Sequence, residues 1–265
     1  MDEMWWNRSC VHRESGCRTR KLSDGKPSLS ISRWESPQIV FPYCPLGCTC
    51  SVIARQAIII LYNVYILEEK KMKTSKRIIL ASNSPRRREL LAGLDIDFEV
   101  RVKEDISEDY PPHLSMEEIP QYISRVKSEA YSLEPDELII TADTIVWTDN
   151  RVLGKPTSAI EAQKMLQRLS GKTHQVVTGV TLATTEWSTS FASVTDVTFA
   201  SLSDEEIRYY VDRYAPMDKA GAYGVQEWIG YVGVTRLAGS YFNVMGLPVQ
   251  RLYSELKNRN IIQTS

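Results

Sequence analysis

From residue 77 onward, apolar positions recur with two spacings in turn, the twofold alternation of strands and the 3.6-residue repeat of helices. Arg77–Ala81 predicts a buried strand, and Pro85–Leu94 a helix that closes near Gly93. Phe98–Val102 predicts a second strand, followed by an acidic loop carrying Asp105, Ser107, Glu108 and Asp109. Tyr122, Ile123, Val126 and Ala130 then fall at helical spacing. Ser115 with Glu118 resembles a capping box whose regular helix Pro120 delays by a turn. Leu138–Val146 is a strongly apolar strand, and Ser158 with Glu161 caps a helix that runs to Leu169 and ends at Gly171. Gln175–Thr184 and Ser193–Phe199 alternate as the strands of a hairpin with a polar tip around Glu186 and Trp187. Ser203 and Glu206 cap a helix through Tyr214, and Leu247–Lys257 forms a terminal helix. This order predicts an α/β or α+β domain with a mixed sheet, spanning residues 72–265.

The first 71 residues lack both periodicities, so they are expected to form no domain. All five cysteines fall there, and Cys44, Cys48 and Cys50 follow no usual zinc spacing. The apolar run 57–67 is too short to span a bilayer and is interrupted by Asn63. Met72 opens a lysine-containing leader directly before the first strand, which makes it the expected natural start, with residues 1–71 an over-extended reading frame or a disordered extension. The later region is free of cysteine and rich in charge, the look of a cytoplasmic enzyme. A net charge of −1 argues against a nucleic-acid coat or a polybasic membrane anchor, so any anion site is local.

One such site is expected at IILASNSPRRRELL, residues 78–91. A buried strand gives way to a hydroxyl-rich loop and a helix with Ser84 at the N-cap and Pro85 at the first helical position. Arg86, Arg87 and Arg88 sit at the end of the helix dipole that is already positive, which calls for an anion such as phosphate. The plain alternative is a solvated basic face. Asp143, inside the apolar run Thr141–Val146, needs a cation, a metal or a proton-transfer task, unless it is a satisfied structural carboxylate at a strand end. Lys155 in LGKP is by itself best read as a surface lysine. In DKAGAYGVQ (Asp218–Gln226), small residues let the backbone approach a ligand. Gln226 offers a donor and an acceptor together, as a uracil or thymine edge requires, the alternative being a structural turn. His113 and His174 read as surface or polar-contact residues rather than ligands.

Taken in order, SNSPRRRELL, RVKSEA (Arg125–Ala130), ADTIV (Ala142–Val146), LGKP, LSGKTHQVVTGV (Leu169–Val180), DKAGAYGVQ and NVMGLPV (Asn243–Val249) resemble the Maf family of nucleoside triphosphate pyrophosphatases. The resemblance covers essentially Met72 to Leu256 and looks like the branch acting on dTTP and UTP. It implies a Maf/ITPase-like mixed twisted sheet flanked by helices, with a nucleotide cleft between two lobes. It also implies hydrolysis to the monophosphate and pyrophosphate with Mg²⁺ or Mn²⁺, a homodimer, and neither nucleic-acid nor membrane partners. Carried onto this chain, it makes Asp143 the proton acceptor and ties Arg86, Thr144 and Gln226 to the choice of base. Ser82, Arg87, Lys127 and Lys155 would hold phosphates, and Glu108 with Asp143 the metal. The acidic pair usual in that loop reads Ser107-Glu108 here, so one carboxylate is missing, and either Asp105 substitutes for it or Asp143 and Glu108 suffice. A different class of function, a nucleotide-sensing regulator of septum formation with little or no turnover, needs the phosphate grip but not Asp143. A nucleic-acid binder is disfavoured by the near-neutral charge and the lack of an aromatic stacking stripe.

Overall fold

The structure is a computed structural model and describes residues 71–263. The expected extension, except Lys71, lies outside those residues, together with its cysteines and apolar run.

Three long strands form the spine: β4 (Glu137–Thr148), β6 (Thr173–Ala183) and β7 (Ser188–Phe199). β2 (Arg77–Leu80) pairs in parallel with both β4 and β3 (Phe98–Val100), whereas β6, β7 and β8 (Val234–Ala238) continue the sheet antiparallel. The order is β3-β2-β4-β6-β7-β8, with β5 (Arg151–Leu153) alongside β4. The sheet is therefore mixed, as expected. A separate two-stranded ribbon joins β1 (Lys73–Thr74) to β9 (Ile262–Gln263).

Several boundaries differ from the pattern reading. β5 was not foreseen; it is reached through Asp149 and Asn150, both in left-handed backbone, which suits a tight hairpin turn. The β6–β7 hairpin has its tip where expected, but β7 starts five residues earlier, at Ser188, and β6 starts two residues earlier, at Thr173. The short helix α5 (Trp228–Gly233), β8 and α6 (Tyr241–Met245) were also missed, being too brief to show a period.

Helix starts follow their capping chemistry. α1 (Pro85–Ala92) begins with the Ser84 hydroxyl accepting from the Arg87 N–H. Ser203 and Glu206 make a full capping box at α4 (Asp204–Tyr214). At α3 (Ala159–Leu169) Ser158 caps, but the Glu161 carboxylate bonds Thr157 instead of closing the box. At α2 (Glu118–Glu129) only the reciprocal half forms, Glu118 accepting from the Ser115 N–H, and Pro120 sits harmlessly in the first turn.

The helices divide over the two faces. α1 and α7 (Val249–Asn258) bury Leu90, Leu91, Leu252 and Leu256 against Leu138, Ile140, Val180 and Leu182 at one end of the sheet. α3 and α4 bury Leu166, Leu169, Ile207 and Tyr210 against Val146, Val176, Val197 and Phe199 at the other. On the opposite face α2 packs Ile119 and Ile123 over Ile145 and Val177. Its close seat depends on Gly179, where a Cβ would fall 2.3–2.4 Å from backbone atoms of Pro120 and Gln121. Among the described residues, no helix is long and apolar enough to cross a membrane.

Candidate active site

Asp143 and Thr144 are adjacent on β4, so their side chains leave opposite faces of the sheet. Asp143 points towards α2. It lies opposite Gly179 in the β4–β6 register, where that glycine lets α2 come close. Lys127 is two helical turns beyond Pro120 and so reaches the same spot. Its Nζ donates to Asp143 Oδ1 at 2.8 Å and lies 2.7 Å from Glu108 Oε1. One ammonium thus joins the two predicted metal carboxylates, and Lys127 is spent on carboxylates in this arrangement.

The Asp143 and Lys127 side chains are 12% and 16% exposed, against 50% for Glu108, so the Asp143 half of the bridge is the better shielded. Partial burial opposes ionisation of Glu108, but Lys127, Lys155 and Arg87 outweigh it and hold its pKa below the usual range.

Thr144 faces the other way. Arg87 on α1 donates from Nη2 to Thr144 Oγ1 at 3.0 Å and from Nε to the Gly246 carbonyl at 2.8 Å. Thr144 continues to Thr178 at 2.9 Å, and Thr178 donates to the Asn243 carbonyl. Asn243 is fully buried and ties α6 to Val176 and Thr195. Arg87 therefore clamps α1, β4 and the end of α6 together. Burial lowers its pKa, with the Asp143 charge working against that fall.

The remaining arginines diverge. Arg86 pairs with Asp218 at 2.9 Å, while Arg88 turns back to the Asn83 carbonyl and does not line the cleft. The expected three-arginine anion cluster is thus two residues, Arg86 and Arg87. Ser82 is buried in the loop before α1, where its hydroxyl accepts from the Ser84 N–H.

All the sequence-predicted site residues line one cleft of about 580 Å³: Ser82, Arg86, Arg87, Glu108, Lys127, Asp143, Thr144, Lys155 and Gln226. Asp105 lines it as well, in left-handed backbone and exposed. Gln226 brings an Oε1 that is buried without a partner. His113 is exposed, as expected. His174 is no surface residue: it is 2% exposed and bonds the Tyr223 hydroxyl at 2.7 Å, and burial pushes its pKa down to about 4.

The order of motifs along the chain and their convergence in one cleft point to a single family, and residues 77–259 match the one described as Maf-like protein. The chain belongs to the Maf-like family. Its relatives include the dTTP/UTP pyrophosphatase of Bacteroides thetaiotaomicron, 62% identical over 183 residues that make up 68% of this chain and 95% of that one. Proteins of the same name from Phocaeicola vulgatus and Bacteroides fragilis are 63% and 60% identical over the same shares. Among solved structures, a HAM1 protein from Coxiella burnetii is similar at 16% identity and a TM-score of 0.39, over 69% of this chain and 99% of that one.

This Maf-like cleft contains groups that motif reading did not assign. Asp218 and Lys219 lie in the DKAGAYGVQ segment and were visible as charges, but their partners were not. Lys219 Nζ reaches Asp218 at 2.7 Å and Glu227 at 3.1 Å. Burial opposes the Asp218 charge, yet hydrogen bonds from Lys219 and Arg86 hold its pKa down to about 2. Tyr210, which bonds Glu227, comes from α4 and carried no sequence signal beyond its place on an apolar helix face.

Proposed function

We propose that this protein hydrolyses dTTP and UTP to the monophosphates and pyrophosphate. The observation that carries the reading is the bridged Asp143–Lys127–Glu108 group, set in one cleft with Arg86, Arg87 and Lys155 on one hand and the unpaired Oε1 of Gln226 on the other. The relatives' name supports the same substrates.

A nucleoside triphosphate brings about four negative charges, and displacement at phosphorus is favoured by cations fixed where charge accumulates. Arg86, Arg87, Lys127 and Lys155 supply them. A water oxygen bonds to the α-phosphorus while the bond from that phosphorus to the oxygen bridging to the β-phosphate breaks, and pyrophosphate leaves. Asp143 accepts the proton of the attacking water. Lys127, within reach of Asp143, is placed to exchange that carboxylate for a phosphate oxygen.

The donor set suits a divalent cation of the hard kind. Glu108 and Asp143 offer carboxylate oxygens converging on one point, which the shared contact with Lys127 marks. Two carboxylates suit an ion that keeps several waters and takes further oxygens from phosphates. Mg²⁺ or Mn²⁺ is proposed. Such an ion neutralises phosphate charge and makes a bound water more acidic.

Gln226 fits the base. The N3–H of uracil or thymine donates to an acceptor such as Oε1, and an adjacent carbonyl accepts from Nε2; in that same amide orientation cytosine sets its N3 acceptor against Oε1 and its amino group against Nε2. Arg86 and Thr144 complete the proposed specificity group, with Ser82 and Arg87 against the phosphates. A sensor without turnover would need the cations but not the adjacent acidic pair, so the pair favours catalysis. Cytoplasmic action as a homodimer completes the proposal.

The test is pyrophosphate release by the purified full chain with Mg²⁺ or Mn²⁺, across the common and methylated nucleoside triphosphates. Turnover concentrated on dTTP and UTP is expected. Tight binding with no pyrophosphate release would replace this reading with the sensor.

A further inference from the structure

Gln226 is the third residue of a four-residue turn, Gly224–Glu227, closed by the Glu227 N–H donating to the Gly224 carbonyl at 3.0 Å. Both ends of this turn meet one atom. The Tyr210 hydroxyl accepts from the Gly224 N–H at 3.0 Å and donates to Glu227 Oε2. Tyr210 is fully buried on α4, so it is a rigid post under the turn. The other carboxylate oxygen of Glu227 lies 3.1 Å from Lys219 Nζ, and Lys219 is itself 8% exposed. Lys219 then pairs with Asp218 at 2.7 Å, and Asp218 with Arg86 at 2.9 Å on the facing wall.

These contacts form one run of alternating charge: Arg86, Asp218, Lys219, Glu227, ending on the Tyr210 hydroxyl. The side chains of Lys219 and Glu227 are 9% and 18% exposed, so their ion pair is poorly screened and resists displacement better than a surface pair. Space is equally restricted. A Cβ at Gly224 would fall 2.9 Å from Glu227 Cδ and 3.0 Å from Gln226 Nε2.

We infer that Glu227 and Tyr210 are positioning residues for base selection, holding the Gln226 amide at a fixed distance and angle from Arg86 through Lys219 and Asp218. The inference rests on the reading of Gln226 as the group that faces the base. Neither residue is required to touch the nucleotide. An amide discriminates an imide edge from a cytosine edge only while its donor and acceptor are held in register, because a freely rotating amide presents either atom at little cost. The post and the charge run fix the backbone that carries the amide, and the close approach of Gly224 to Nε2 confines the side chain itself.

The experiment uses the full chain and compares Glu227→Gln and Tyr210→Phe with wild type. Calorimetry measures the affinities of the α,β-imido analogues of UTP and CTP, and thermal melting establishes that each variant is folded. Glu227→Gln keeps the shape and loses the charge; Tyr210→Phe loses the hydroxyl that both ends of the turn share. The UTP-to-CTP affinity ratio should fall about tenfold in either variant, largely through weaker UTP binding. A merely structural role would weaken both analogues alike and preserve the ratio. An unchanged ratio in the folded variants overturns the proposal, and so does a wild-type protein that binds the two analogues equally. Because these analogues are not hydrolysed, failure of the hydrolytic reading shows separately, as absent pyrophosphate release with the binding ratio intact.

Discussion

Replacing Asp143 by asparagine separates the chemistry of the cleft from its architecture. The substitution keeps the side-chain shape and an oxygen that can still accept from Lys127, now 2.8 Å away, so the seat of α2 on the sheet is retained. What disappears is the charge. The remaining bond still has a charged donor in Lys127 and stays in the range of about 1.5–3 kcal/mol for bonds to ionised groups, so the expected loss of stability is about 1 kcal/mol. Relief of the repulsion between Asp143 and Glu108, which share that lysine, offsets part of it. For a domain of this size, each kcal/mol lowers Tm by about 2–4 °C, so the variant remains folded at 25 °C. The chemical step should suffer far more. Loss of a positioned base costs about 10²–10⁴-fold, or about 2.7–5.5 kcal/mol on the barrier. The assay is pyrophosphate release at saturating UTP, run beside a thermal melt of the same preparation. A folded variant within about threefold of wild-type kcat would refute the assignment of Asp143 as proton acceptor. A loss of activity that merely follows the melted fraction would refute it equally.

Two further outcomes test the frame around the site. Gly179→Ala should destabilise the protein by about 3 kcal/mol or more, because the new Cβ would lie 2.3–2.4 Å from the Pro120 and Gln121 backbone, where overpacking has no flexible side chain to yield. A denaturation midpoint equal to wild type would mean that α2 does not sit this close. Glu137, at the start of β4, is held between Arg77 at 2.8 Å and Arg101 at 2.7 Å. Hydrogen bonding from Arg101 leads the effects that bring its pKa down to about 2 against the resistance of burial. A depressed folded-state pKa contributes stability that is fully present above the ordinary carboxylate range and fades as the pH falls from about 4.5 towards 2. Glu137→Gln should therefore flatten the acid limb of stability measured by urea unfolding in that window; an unaltered slope would remove Glu137 as its source.

Much of the molecule is legible in the chain because its signals are local. A capping serine acts on an N–H three residues ahead, so Ser84, Ser158 and Ser203 mark true helix starts. A carboxylate in the middle of an apolar strand marks an unmet electrostatic need at Asp143 wherever the partner comes from. Short elements escaped for the same reason: α5, β8 and α6 are held by neighbours rather than by their own period. The partners themselves belong to the tertiary structure. Lys127 meets Asp143 and Glu108 because Gly179 admits α2 to the sheet, and Arg87 meets Thr144 because successive strand residues leave opposite faces. Arg88, equal to its neighbours in the sequence, is rotated off the cleft by the turn of α1. Tyr210 and Glu227 are joined only when α4 folds beneath the Gly224–Glu227 turn. Residue chemistry and spacing determined what this chain needs; the close approach of distant elements, which no local pattern encodes, decided which groups meet that need.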